Sequence, residues 1–340
     1  MKKFIIKTLI YFIPFCCVYA GYKIFSQYYI SGDSGGLGKI PFGKEYNKYL
    51  EQNYLSDNLT IDTFVISNKK LQVPNASKIF TIGDSFSDQG MFGYQNYLAH
   101  LLTNKVVNIE RIGIYAGTNF KTIIGLLNSG IIDSTTCKII IFEQVDRYAI
   151  GGLMNIDFNT QYEFSKDGNN HKKGDTDKDS ELYDLCSSIR LLIGYDNPVL
   201  KCDLKQEYFT HKRFSRKLFY YIDDMDFLTT SKAEIEKAKE NLILLDKKFS
   251  EKGIKMIFLI ASDKYDVYRP FVTDDSLPID TTTDGLSNLP DVCIINTKSM
   301  LQDMVRNGEK DVYMVNDTHW SYKASKVIAQ KLFQTILDIR

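Results

Sequence analysis

Neither sign of charge predominates in this chain. Lys+Arg and Asp+Glu number 42 each, so no global field draws it to nucleic acid or an anionic surface. No CxxC pair occurs among the six cysteines, which leaves zinc ligation with little support. No internal repeat is evident, and histidine is scarce, with four in 340 residues. Tryptophan occurs once, which makes its position worth following.

The rest of the composition is ordinary for a globular protein: 44% hydrophobic and 25% charged residues, with 22 tyrosines and 21 phenylalanines that favour a β-containing fold. The length allows one large core, or a core with a substantial insertion. The N-terminus departs from this. Lys2 and Lys3 precede a run from Phe4 to Phe25 interrupted only by Lys7 and Lys23. Positive charge ahead of an apolar run keeps that end cytoplasmic and exports the chain beyond the run. Two readings are open: an uncleaved single-pass anchor, which we prefer, or a signal cleaved after Val18-Tyr19-Ala20. Both place the rest of the chain outside the cytoplasm, in the periplasm or at the cell exterior. There Cys186 and Cys202 have the chance to form a disulfide.

Residues 26–76 are polar and weakly patterned, and read as a juxtamembrane stalk. From 77 to 340 a rhythm sets in. KIFTI, KVVNIERIGI, KIIIFEQV, IKMIFLIAS and DVCIINTKSM read as strands. Helical spacing fills the intervals, with Gly130 closing one helix and a serine opening the long SKAEIEKAKENLILLDKKFSEKG helix. This alternation predicts an α/β fold, a doubly wound and mostly parallel sheet flanked by helices in three layers. An insertion from about 148 to 230 comes after a central strand and is expected either to cap the carboxyl edge of the sheet or to form a lobe of its own.

Gly-Asp-Ser occurs twice. Ser34, in GDSGG, resembles the surroundings of a chymotrypsin-like nucleophile. All four histidines come after it, however, and no strand supports it, so it reads as linker. Ser85 lies in the turn Gly83-Asp84-Ser85 at the carboxyl end of the strand KIFTI, where its hydroxyl is offered at the top of a sheet beside backbone N–H groups. Serine needs a base at neutral pH. His319, with Asp317 two residues earlier, lies just before the final helix at the far end of the same domain.

TIGDSFS and NDTHWSYKAS resemble the first and last blocks of the SGNH (GDSL-like) hydrolase superfamily. The D-x-H-W form, and the segment from Ala261 to Phe271, are similar to its alginate O-acetyltransferase-like branch. The resemblance spans about residues 78–147 and 254–335. It implies an SGNH, flavodoxin-like sheet with Ser85 as nucleophile, His319 as base, Asp317 as its orienting partner and Asp84 as a structural brace. It implies an oxyanion hole from the N–H groups of Ser85 and Gly117, with Gly113 as the alternative. Where the family carries an asparagine, this chain has FEQVDRY, so Gln144 or Arg147 is expected as the third donor, unless Asp146 and Arg147 form only a local ion pair. Trp320, Lys264 and Tyr265 are expected at a sugar-binding rim; a core-anchoring Trp320 and simple surface positions for the other two remain open. No metal or cofactor is implied. The implied partners are an exported or cell-envelope polysaccharide, an acetyl donor that a membrane acyltransferase partner would supply, and the membrane itself. The implied activity is serine-dependent O-acetyl transfer; the alternatives are an acetyl esterase and a non-catalytic glycan-binding scaffold.

Overall fold

The apolar run at the N-terminus forms one helix, α1 (Lys2–Tyr29), with Pro14 inside it. Its segment Lys2–Ile24 has a mean hydropathy of 1.8 and none of it is buried against the rest of the protein. At 1.5 Å per residue it is about 35 Å long, enough to cross a bilayer or to act as a signal sequence. The computed structural model describes residues 2–29, 37, 59, 61–64, 78–104, 106–109, 118–130, 132–135, 137–161, 199–287 and 289–339.

The remaining elements alternate as the sequence rhythm predicts. They are β1 (Ile61–Phe64), β2 (Ile79–Ile82), α2 (Tyr94–Leu102), β3 (Val107–Ile109), α3 (Thr118–Ser129), β4 (Ile139–Val145) and α4 (Asp146–Met154). Then come β5 (Val199–Asp203), β6 (Lys217–Tyr221), α5 (Lys232–Glu251), β7 (Lys255–Ala261), the short α6 (Lys264–Tyr268), β8 (Cys293–Asn296), α7 (Lys298–Arg306) and α8 (Tyr322–Asp338). Five strands form a parallel sheet in the order β3-β2-β4-β7-β8, and β1 adds a short parallel edge beside β3. Residues two apart face the same side. Ile79, Ile139, Ile141, Ile257 and Leu259 pack with α2, α7 and α8. Phe80, Ile140, Phe142, Met256 and Phe258 pack with α3, α4 and α5. Both faces are thus covered, which is why β4 is buried at every residue.

Local signals fix the helix ends. Ser231 and Glu234 form a reciprocal capping box at the start of α5. Gly130 and Gly253 take positive φ just past α3 and α5.

Two regions gain detail among the described residues. Parts of the stretch read as a stalk join the domain: β1 pairs with β3, Leu37 is buried with its N–H donating to Tyr221 Oη, and the Leu59 N–H donates to Asn96 Oδ1 at 2.6 Å. Backbone pairing at a sheet edge outweighs weak side-chain patterning there. The described part of the insertion contains an antiparallel hairpin, β5–β6. It packs on α6 through Tyr220 against Tyr265, at 4.8 Å between ring centroids. Cys202 lies half-buried in β5, whereas Cys186, like Ser34, lies outside the described residues.

The chain leaves β2 for β3 on one side and returns to β4 on the other. The carboxyl ends of β2 and β4 therefore form the switch point at which such sheets leave a crevice.

Candidate active site

Gly83-Asp84-Ser85 turns off the end of β2 into a single 3-10 turn, Ser85–Ser87. Asp84 joins that turn to its neighbour strand. Its Oδ1 accepts the Phe86 N–H at 2.9 Å, and its Oδ2 accepts the Val145 N–H at 2.7 Å and Gln144 Nε2 at 3.2 Å. The carboxyl of Glu143 approaches from below. Its Oε2 accepts the Asp84 N–H at 3.0 Å and the Ser87 hydroxyl at 2.8 Å. Space is so limited that a Cβ on Gly83 would come within 2.1 Å of Glu143 Oε2. Close approach is what requires glycine here.

Glu143 is fully buried. Burial, and then the nearby Asp84 carboxylate, push its carboxyl well above the usual range, which favours its neutral form. Ser85 itself is half-buried. The Phe86 N–H is taken by Asp84 Oδ1 and the Ser87 N–H by the Asp84 carbonyl. Among the described residues the Ser85 N–H is the donor of this turn with no such bond.

Asp317 and His319 sit in the loop before α8. Asp317 Oδ1 accepts both the backbone N–H of His319, at 2.9 Å, and ring Nδ1, at 2.6 Å. That bond assigns the proton to Nδ1 and makes Nε2 the basic nitrogen; Nε2 is shielded from solvent. The two turns meet through Phe86. Its ring lies 4.8 Å from the His319 imidazole and 4.7 Å from the Trp320 indole, centroid to centroid. No hydrogen bond joins Ser85 Oγ to His319 among the described residues. Such contacts commonly tighten only when substrate binds.

No protein-family model and no curated protein matches this chain.

Several expected positions take other roles. Lys264 is fully buried, and its ammonium donates to the carbonyls of Met314, Val315 and Asp317 at 2.7, 3.0 and 3.2 Å. It holds the loop that carries Asp317 and His319, and does not line a rim. Tyr265 is equally buried; its hydroxyl donates to the Pro278 carbonyl while Tyr220 covers its ring. Trp320, 1% exposed, is wedged against Phe86 and Tyr94 as a core anchor. Tyr220 of the hairpin and Phe227 of the 3-10 segment Ile222–Thr229 cover the Tyr265 ring, which is why it points inward. Gln144 spans Asp84 and Asn119 with its two amide atoms. Arg147 is paired with Asp224 and Asp263, not with Asp146. Although burial opposes its charge, those two carboxylates hold it protonated more firmly than usual. Gly117 and Gly113 lie outside the described residues.

Sequence reading missed Glu143, Asn119 and Asp263. The signal for Glu143 was available: it is the one charged residue inside a mainly apolar strand buried on both faces. Two cavities, of about 460 and 240 Å³, flank Arg147 along this edge, and neither is lined by Ser85 or His319.

Gly83→Ala is expected to lose about 1–3 kcal/mol or more from the clash with Glu143, measured as a drop in the denaturation midpoint. For Glu143→Gln the pH dependence is the informative quantity. A carboxyl raised in the fold keeps its proton where the unfolded chain releases it, so the wild type loses stability as pH rises above the ordinary glutamate range. The difference in Tm between Glu143→Gln and wild type should grow more positive from pH 4.5 to pH 8. An offset that does not change with pH would contradict this reading of Glu143.

Proposed function

We propose that this protein is a serine-dependent acyl-transfer enzyme that moves O-acetyl groups onto an exported or cell-envelope polysaccharide. The observation that supports it most is the contact of the Ser85 turn with a carboxylate-oriented histidine from the opposite end of the domain. The resemblance of both segments to the SGNH superfamily gives the same assignment of Ser85, His319 and Asp317.

In this reading His319 Nε2 removes the Ser85 Oγ proton as Oγ attacks the acetyl carbonyl carbon. Asp317, bonded to Nδ1, stabilises the imidazolium that forms. The oxyanion is received by the Ser85 N–H, together with a donor from Gly117. Collapse breaks the bond to the donor's oxygen, which takes the proton from His319, and leaves acetyl-Ser85. A sugar hydroxyl, deprotonated in turn by His319, then takes the acetyl group and regenerates the serine. If water takes that place, the enzyme is an acetyl esterase. The apolar N-terminal helix supports a membrane-attached protein with this domain outside the cytoplasm, where such a glycan and its membrane-borne acetyl donor would meet it.

A non-catalytic, glycan-binding scaffold of the same fold is the second reading. It is favoured by the engagement of Gln144 and Arg147, the two expected third donors, in internal bonds.

The test uses the full-length protein in detergent with 4-nitrophenyl acetate, followed by intact-mass spectrometry. The wild type is expected to show an acetyl adduct and turnover, and Ser85→Ala to lose roughly three orders of magnitude of activity and the adduct. Undiminished turnover in Ser85→Ala would overturn the mechanism. Adding candidate glycans then separates transfer from hydrolysis, by whether acetyl is found on sugar or as acetate.

A further inference from the structure

Beyond the Ser85 turn, the carboxyl edge of the sheet holds a second concentration of charge. Asp146 opens α4, Asp266 lies in α6, and Asp280 belongs to the connection between α6 and β8. One ligand oxygen from each lies within 4.8 Å of the other two. The three residues are 2%, 4% and 4% exposed. Burial of this depth is rare for carboxylates without compensating partners.

The partners present account for only part of the set. Asp146 Oδ2 accepts the Thr283 hydroxyl at 3.0 Å. Asp280 Oδ1 accepts the Thr282 N–H and hydroxyl, both at 2.7 Å. Asp146 Oδ1 and both oxygens of Asp266 are buried with no hydrogen-bond partner among the described residues. Lys298 offsets part of the charge of Asp146 and Asp266 at a distance, but its hydrogen bonds and those of Arg147 go to other acceptors. Lys298 Nζ donates to Asp284 Oδ1 and the Asp280 carbonyl, and Arg147 is held by Asp224 and Asp263.

Three oxygen donors converge from three separate elements, and one of them has both its oxygens unsatisfied. Hard divalent cations are bound in such settings. Three oxygens spread evenly around one calcium, each at about 2.3–2.6 Å, lie up to about 4.5 Å from one another. The 4.8 Å bound on the observed spacing is close to that reach, so small side-chain shifts bring all three oxygens onto one calcium. The 240 Å³ cavity is lined by both Asp146 and Asp280; it offers a path for the ion and room for the waters that complete its shell.

We propose that Asp146, Asp266 and Asp280 form a divalent-cation site, with calcium the best-fitting ion. The proposal does not depend on acyl chemistry at Ser85, and it departs from the absence of a metal implied by the sequence. Its structural consequence is specific. Asp146 comes directly after Val145, whose N–H holds Asp84, and Asp266 lies two residues after Lys264, which holds the Asp317–His319 loop. The ion ties the two supports of the candidate active site to each other.

The test uses full-length protein in detergent, stripped with EDTA and then dialysed against calcium or magnesium chloride. Bound metal is counted by elemental mass spectrometry, and Tm is followed by scanning fluorimetry. The expected result is about one retained ion per chain and a saturable rise in Tm. Asp266→Asn should fold, with a metal-free Tm equal to or above that of the metal-free wild type, because a buried uncompensated charge has been removed. It should lose both the bound ion and the Tm rise. Wild-type protein that retains no ion and shows no shift would overturn the site and leave protons as the neutralising partner of the carboxylates. Undiminished retention in Asp266→Asn would also overturn it.

Discussion

The carboxylate of Asp84 is the tie on which the rest of the site depends. One side chain accepts an N–H from its own turn, an N–H from the end of β4 and an amide from Gln144. Hydrogen bonds to a charged acceptor contribute about 1.5–3 kcal/mol each, so the position of Ser85 is set by the sheet and not by a loop. The tie needs room, which Gly83 supplies, and a neighbour that does not repel it; burial and then Asp84 itself push the Glu143 carboxyl up, toward its neutral form. Phe86, held in place by the same turn, then carries the contact to His319 and Trp320.

The opposite half of the site is organised by a buried cation in place of a buried anion. Lys264 places its ammonium among three carbonyls of the 314–317 loop, with the Phe209 ring 5.5 Å from Nζ. Desolvating an ammonium is costly unless all its donors are used, and three carbonyls match its three protons. The loop geometry therefore specifies the lysine and is specified by it. Arg147, with Asp224 and Asp263, repeats the arrangement a short distance along the same edge. Buried charge is concentrated there, where β4, α6 and the loop before α8 converge.

How much of this was legible in the sequence varied with the range of the interaction. Short-range patterns carried the alternation of strands and helices, the Ser231 cap and the Gly130 and Gly253 stops. The proximity of Asp317 to His319 was also legible, because both lie in one turn. The direction of side chains at strand ends was not. Lys264, Tyr265 and Trp320 come after strands or turns at positions where either inward or outward orientation is allowed. The outcome was decided by partners far away in sequence: Tyr220 of the β5–β6 hairpin for Tyr265, the carbonyls of the 314–317 loop for Lys264, and Phe86 and Tyr94 for Trp320. Asp84 and Glu143 escaped a full reading for a related reason: their partners are about 60 residues distant, and a carboxyl in an apolar strand acquires its meaning only from the strand beside it. The edge strand β1 was too short and too weakly patterned to stand out from the segment around it.

Under the proposed mechanism Ser85, and no other serine, is made nucleophilic through His319. The most direct measurement is labelling of the full-length protein with a fluorophosphonate probe, followed by peptide mapping. Stoichiometric phosphonylation of Ser85 is expected in the wild type and none in His319→Ala. Failure of the folded wild type to label at Ser85, or labelling that persists unchanged in His319→Ala, would contradict the mechanism.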